Sequence, residues 1–552
     1  MGKKIGILLV LVMLMSVVAM PLQAQDPVTF IFGSFSNPIQ LYGAVVTDGV
    51  SFRVLNQGCE GLMTFDGATT GVIPLLAKEL TSNEDLTVWT ATLQEGVTFH
   101  DGTPFNAEAV KANFEAWRFT DNPLHFESQV YEYYDYMFDG PDDASLIQSM
   151  DTPDDYTIVF NLSRPYVQMP ATLAMSMFQI HSPAALEAAG EDYGTPPVGY
   201  SCTGPYAFTE WVSDDHVTQD LYADYWGEVE GNVERVLYRI IPDNAARFAA
   251  IQAGEIHAKE NATPEEIAII EAADDLYVDL RPSLNVLYLA FSYRIEEFRN
   301  PLVRQAISQA LNLQAYVDTF YVPGAAEVAS TFLPPLMWGY NPEVEAPTWD
   351  PDAAAALMAE AGYPDGLSEV NLLALDADGN VVEGEVEATI PLTLYWQPAT
   401  RPYNPDGEGI GQAMSADLAG IGINVELNNG GDWATFLDMR RNGELTGLYQ
   451  LGWTGDNGDP DNFSGYFFKN CGIAREGYFD FPEICDLLTE AGNGVSQDVR
   501  EPLYQQADAM LAAEAARISV AHTGVPLIFS SAVSGYVANP LGNEFFKLIT
   551  ME

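Results

Sequence analysis

Strand-like and helix-like segments alternate along the whole chain, and no Gly/Ser-rich or Pro-rich linker separates them. At 552 residues the chain is too long for one compact core, so two to four domains are expected. Domains without a linker have to be joined by strands that pass from one to the next. That requirement narrows the architecture more than any single motif, and the alternation itself indicates an α/β fold.

Caps and stops mark the elements. Residues 86–93 (LTVWTATL), followed by GVTFHDG, read as a hairpin. Asn106 is placed to cap a helix running to Trp117, and Asp243 to cap NAARFAAIQA, which Gly254 ends. Asp350 before Pro351 pairs a good N-cap with a good first helical residue, and that helix stops at Gly362. A helix around 410–418 stops at Gly420 and leads into the strand-like INVEL. Asp142, Asp143, Asp151, Asp154 and Asp155 read as a pair of acidic surface loops. No repeat of 20–50 residues is present.

Residues 1–24 have the form of a cleaved export signal. Lys3 and Lys4 precede an apolar run from Ile5 to Met20, and Pro21-Leu22-Gln23-Ala24 supplies a break and a small residue. The run is short for a membrane span. No Cys precedes Cys59, so a lipid-modified Cys at the cleavage site is not expected. The expected location is periplasmic or extracellular. Lys and Arg total 23 against 78 Asp and Glu, a formal charge of −55. This excludes a generally basic nucleic-acid footprint and reads as a solvated acidic surface.

Export permits disulfides. Four cysteines allow three connectivities. Pairing Cys471 with Cys485 closes a short loop, worth about 3 kcal/mol in chain-entropy terms, and leaves Cys59 with Cys202. No C-x-x-C pair occurs and no His is close in sequence to a Cys, so disulfides are expected rather than a metal site.

The common catalytic motifs are missing. GYSCTG at 199–204 has the wrong spacing for a nucleophile elbow, and Walker A, G-x-G-x-x-G and H-E-x-x-H sequences do not occur. The six histidines are scattered singly, and His100 in TFHDGTPF reads as a turn residue.

The informative segment is 451–463, LGWTGDNGDPDNF, an apolar strand that breaks into an acidic loop. A calcium loop counted from Asp456 fails, because Gly458, Asp461 and Phe467 stand where ligands or glycine are needed. Asp459 and Asp461 fit turn-building roles. Asp456 follows the strand directly. Upstream, Arg401 lies in the stiff, aromatic WQPATRPYNP, which suits a guanidinium fork held for a carboxylate. Asp456 and Arg401 together describe a ligand with a cation at one end and a carboxylate at the other, as in a short peptide.

Longer stretches carry a family resemblance. RVLNQGCEGLMTFDG with GVIPLLAKEL and EDLTVWTATLQEGVTFHDGTPFNAEAVKANF, TGPYAFTEW, ADYWG, IIPDNAARFAAIQAGEI, RQAISQALN, FLPPLMWGYNP and DPDAAAALMAEAGYPDG resemble the peptide/nickel class of ABC-transporter solute-binding proteins. RPYNPDG with GWTGDNGDPDNF is most similar to the dipeptide-binding members. The resemblance implies a two-lobed periplasmic-binding-protein fold of type II, with an extra subdomain inserted in the first lobe. The implied division is 25–65, 190–287 and 526–552 for lobe I, 66–189 for the inserted subdomain and 288–525 for lobe II.

The resemblance also implies that Asp456 holds a peptide's α-ammonium and Arg401 its α-carboxylate. Gly452, Trp453 and Thr454 would bond the peptide backbone as an added strand, with Trp453 and Tyr403 lining side-chain pockets. The fourteen-residue step from Cys471 to Cys485 matches the group's disulfide. Cys59 and Cys202 depart from its pattern, and a disulfide between them is expected within one lobe. Implied partners are a peptide ligand and the permease of an ABC importer. No cofactor, catalytic residue or metal is implied, and the receptor is expected to be a monomer. Alternatives are the same scaffold for glutathione, a haem-like molecule or a metal chelate, and an exported peptide hydrolase.

Overall fold

The computed structural model describes residues 26–272 and 274–552. The expected export signal at 1–24 lies outside the described residues. Two large sheets organise the chain. The first has seven strands in the order Leu276–Arg281, Val525–Ser530, Ala258–Glu260, Thr29–Ser34, Arg235–Ile240, His216–Leu221 and Tyr206–Val212. The second has six, in the order Ala326–Val328, Ile518–Thr523, Asn285–Phe291, Leu448–Thr454, Thr393–Tyr395 and Glu426–Asn428. Each sheet has its own hydrophobic core.

The chain passes between the sheets at two places that lie side by side. One joins Arg281 to Asn285 and the other is Gly524 alone, between Thr523 and Val525. Arg281 pairs with Val525. A Cβ on Gly524 would stand 2.8 Å from the Arg281 carbonyl oxygen, so only glycine lets the two crossings approach. The Asn285 side chain ties them together. Its Nδ2 donates to the Thr523 carbonyl at 2.8 Å and its Oδ1 accepts from the Thr523 amide at 3.0 Å.

Strand Asn285–Phe291 is buried at every residue, as its apolar run after Asn285 requires for a central strand flanked on both edges. Local capping signals act as expected. Asn106, Asp243 and Asp350 each accept the backbone N–H three residues on, at 2.8–2.9 Å.

A third, four-stranded sheet runs Ala77–Ser82, Val88–Leu93, Thr157–Leu162 and Ile147–Asp154, and shares the core of the seven-stranded sheet. It corrects two sequence expectations. Val88–Leu93 forms its hairpin with the preceding Ala77–Ser82, whereas the following GVTFHDG closes only a tight turn bridged at Thr98 and Pro104. The acidic stretch expected as loops contains the edge strand Ile147–Asp154. Ile147 and Met150 face inward there while Asp151 and Asp154 face solvent, so the acids mark the wet side of a strand. INVEL contributes only Glu426 and Leu427 to a sheet, in the short strand Glu426–Asn428.

Both cysteine pairs are joined as disulfides, with Cα–Cα separations of 4.9 Å for Cys59–Cys202 and 6.0 Å for Cys471–Cys485. His181, distant in sequence, lies beside the first, with Nδ1 3.3 Å from the Cys202 sulfur. The bridge takes up both sulfurs that a metal would need as thiolates.

Candidate functional site

Thr393–Tyr395 and Leu448–Thr454 are parallel neighbours, so the loops that follow them leave the same edge of the sheet. One loop carries Arg401 and the other Asp456, which is how residues far apart in sequence reach one place. The shorter strand accompanies the longer only at Leu448 and Tyr449. From there to Thr454 the edge turned away from Asn285–Phe291 carries no strand among the described residues. Gly452, Trp453 and Thr454 pair on the other side with Leu287, Val286 and Asn285. An open edge of this kind is suited to an extended backbone.

The Arg401 loop is fixed by its own hydrogen bonds. Arg401 and Asn404 exchange backbone bonds of 3.0 and 2.9 Å. The carbonyl of Pro402 accepts from the Thr523 hydroxyl at 3.1 Å, and that of Tyr403 from the Tyr321 hydroxyl at 2.8 Å. Tyr403 is buried with its ring over Gly452, where a Cβ would collide with it. The Arg401 guanidinium lies 4.7 Å from the centre of the Trp433 ring and beside the Tyr403 hydroxyl. It forms no salt bridge among the described residues. Trp433 was not legible as a partner from sequence, because it reaches Arg401 from a separate helix, Trp433–Arg441.

Asp456 is half-buried. Its amide donates to Asn462 Oδ1 at 2.8 Å and its Oδ2 accepts from Asn462 Nδ2 at 3.0 Å. The hydroxyl of Tyr133 faces the same carboxylate. Burial pushes the Asp456 carboxyl up to about 6, against the opposing pull of the hydrogen bonds from Asn462 and Tyr133. Tyr133 belongs to the short helix Glu132–Met137, on the far side from the six-stranded sheet, and sequence gave no signal for it beyond the aromatic run YEYYDYMF. Other contacts cross at the same place. The Tyr136 hydroxyl donates to the Asp461 carbonyl at 3.4 Å, and Asn457 Nδ2 lies 3.7 Å from the Met175 sulfur.

The remaining acids of the loop have internal partners. Asp459 accepts two bonds from Arg500, at 2.7 and 2.6 Å, and also accepts the Asp461 amide at 2.9 Å. Asp461 meets Lys469 at 3.1 Å. Trp453 stacks on Tyr466 with ring centres 4.8 Å apart. Among the described residues the site offers a carboxylate without a cationic partner, a guanidinium without an anionic one, and a bare strand edge.

The family described as bacterial extracellular solute-binding proteins, family 5 Middle, matches residues 71–475. The dipeptide-binding protein of Escherichia coli (strain K12) is 30% identical over 98% of this chain and 97% of its own. Heme-binding protein A of Haemophilus influenzae is 30% identical over 95% and 92%. The solved dipeptide binding protein from Pseudoalteromonas sp. SM9913, in complex with Met-Leu, is 27% identical with a TM-score of 0.78, covering 95% of this chain and all of that one. The expected two-lobed type II fold is therefore the fold of this chain, which belongs to the bacterial extracellular solute-binding proteins of family 5.

Proposed function

We propose that this protein is an exported receptor that captures dipeptides or short peptides between its lobes and delivers them to the permease of an ABC importer. The observation that carries the reading is the pairing of Asp456 and Arg401 at one sheet edge, each without an oppositely charged partner among the described residues. Asp456 takes the α-ammonium and Arg401 the α-carboxylate. Gly452, Trp453 and Thr454 bind the peptide backbone along the open edge, so affinity depends little on side chains. Trp453 and Tyr403 wall the side-chain pockets. The similarity to dipeptide-binding proteins supports the same ligand class.

Lobe I is assigned to the seven-stranded sheet with the four-stranded sheet as its inserted subdomain, and lobe II to the six-stranded sheet. The two adjacent crossings support boundaries there, slightly before residues 287 and 525. They also supply the hinge for closure, in which ligand stabilises a closed state that the permease reads. The protein works as a monomer, released by cleavage after residue 24 and without a lipid anchor.

The test is the set of ligands that co-purify with the protein, read by mass spectrometry, together with calorimetry of free and end-blocked dipeptides. Free dipeptides should bind and N-acetylated, C-amidated ones should not. Equal binding of both, or recovery of only glutathione, a tetrapyrrole or a chelate, would overturn the two-ended reading. Cleavage of the added peptide would point to a hydrolase instead.

A further inference from the structure

Behind the six-stranded sheet, on the face opposite Gly452, three guanidiniums share one carboxylate. Glu476 is fully buried and accepts from Arg440 Nη2, from Arg517 Nη2 at 3.1 Å, and lies 3.6 Å from Arg475 Nε. These are the only salt bridges of the three arginines among the described residues. Arg475 is partly solvated, but the side chains of Arg440 and Arg517 are 13% and 3% exposed. A cluster of net positive charge is thus enclosed in a chain where acids outnumber bases more than threefold. Supplying a second carboxylate was open to such a sequence, and burying unmatched charge is costly.

The unsatisfied groups have one character. Arg440 Nε, Arg517 Nη1 and the hydroxyls of Tyr288 and Tyr449 are buried without a hydrogen-bond partner among the described residues. Each of the two guanidiniums interacts electrostatically with both phenols, so the four groups are neighbours. Tyr288 pairs with Leu451 and Tyr449 with Ala290 across adjacent strands, which puts both phenols on the same face. The Arg517 guanidinium lies 4.6 Å from the Tyr288 ring centre, and Phe467 lies under both guanidiniums at 5.4 and 5.7 Å. Burial raises both phenols above their ordinary range, Tyr288 well above it, despite the neighbouring cations, so they stay protonated. The two guanidinium N–H groups can only donate, and both protonated phenols are able to, so all four can serve one acceptor. A water could satisfy them only with the phenols accepting, and it would leave the excess positive charge unmatched, whereas an anion accepts from all four and offsets that charge.

We propose that Arg440, Arg517, Tyr288 and Tyr449 enclose a small monatomic anion, chloride under ordinary conditions, built into the second lobe and separate from the peptide site. It offsets the excess charge around Glu476 and fixes Phe467, which packs at right angles to Trp453 with ring centres 5.3 Å apart. Arg517 also lines a surface pocket with Phe332, Phe468 and Ser519.

The test uses the purified full-length protein exchanged into gluconate and titrated with chloride or bromide at constant ionic strength. The melting temperature should rise saturably with either halide. A crystal grown in bromide should show one anomalous peak between Arg517 Nη1 and the two phenols. The Tyr288→Phe, Tyr449→Phe double variant keeps the ion pairs and rings, should fold, and should bind halide at least tenfold more weakly. A melting temperature indifferent to anion identity, a water in place of the peak, or an undiminished peak in the double variant would overturn the proposal.

Discussion

Tyr403 lies with its ring against the bare Cα of Gly452, so the loop that carries Arg401 is seated on the strand that leads to Asp456. The spacing between the two charged groups is thus set by a ring-on-backbone contact rather than by either charge. Gly452→Ala places a methyl group against both the Tyr403 ring and the Val286 carbonyl. Such overpacking costs about 1–3 kcal/mol. The expected outcome is that destabilisation in urea melts, with loss of dipeptide affinity by calorimetry. Unchanged affinity would show that Arg401 is positioned some other way.

Arg401→Ala and Asp456→Ala each remove one end of the proposed recognition. Leaving a ligand charge buried and unmatched costs about 3–5 kcal/mol, so each variant should bind a dipeptide more than 100-fold more weakly. In thermal-shift measurements the stabilisation by ligand should vanish. Asp461→Asn, which alters a contact to Lys469, should leave it intact. If all three behaved alike, the effect would belong to the loop's shape and not to Asp456.

The Asp456 carboxyl, pushed up to about 6 by burial, gives binding a pH dependence. An ammonium requires the ionised form, so affinity should peak near pH 7, fall as pH drops through 6, and fall again above pH 8 as the dipeptide's own α-amino group, with an ordinary pKa of about 8, loses its proton. It should be about tenfold weaker at pH 5 than at pH 7. Asp456→Asn should bind weakly with no such slope. A wild-type affinity constant from pH 5 to 8 would remove Asp456 from the ammonium site.

What the sequence revealed follows from range. Asn106, Asp243 and Asp350 were readable because a cap and its N–H lie three residues apart. Asp459 was readable as a turn residue for the same reason, through its bond to the Asp461 amide. Its second role was not, because Arg500 meets it from a later helix. The partner of Val88–Leu93 was misassigned because apolar alternation shows that a strand exists and not which neighbour it takes. The proposed pair Asp456 and Arg401 was legible through family resemblance and the composition of their loops. Tyr133 and Trp433, which shape their surroundings, come from segments with no distinguishing pattern.

Asp508 offers a stability test away from the site. It lies buried on helix Gln497–Ala513, where Oδ1 accepts the Phe332 amide at 3.0 Å and Oδ2 has no partner among the described residues. Burial pushes its carboxyl up to about 7. The unfolded chain releases this proton near the ordinary value of about 4, so wild-type stability falls as pH rises from 4 to 7 and stays lowered above that. Asp508→Asn keeps the shape and cannot ionise. It should be more stable than wild type by about 2–4 kcal/mol at pH 8, with the advantage shrinking to nothing near pH 4. Urea melts at pH 4.5, 6 and 8 would show the trend. An equal gain at all three would mean that repacking, and not the buried charge, separates the two proteins.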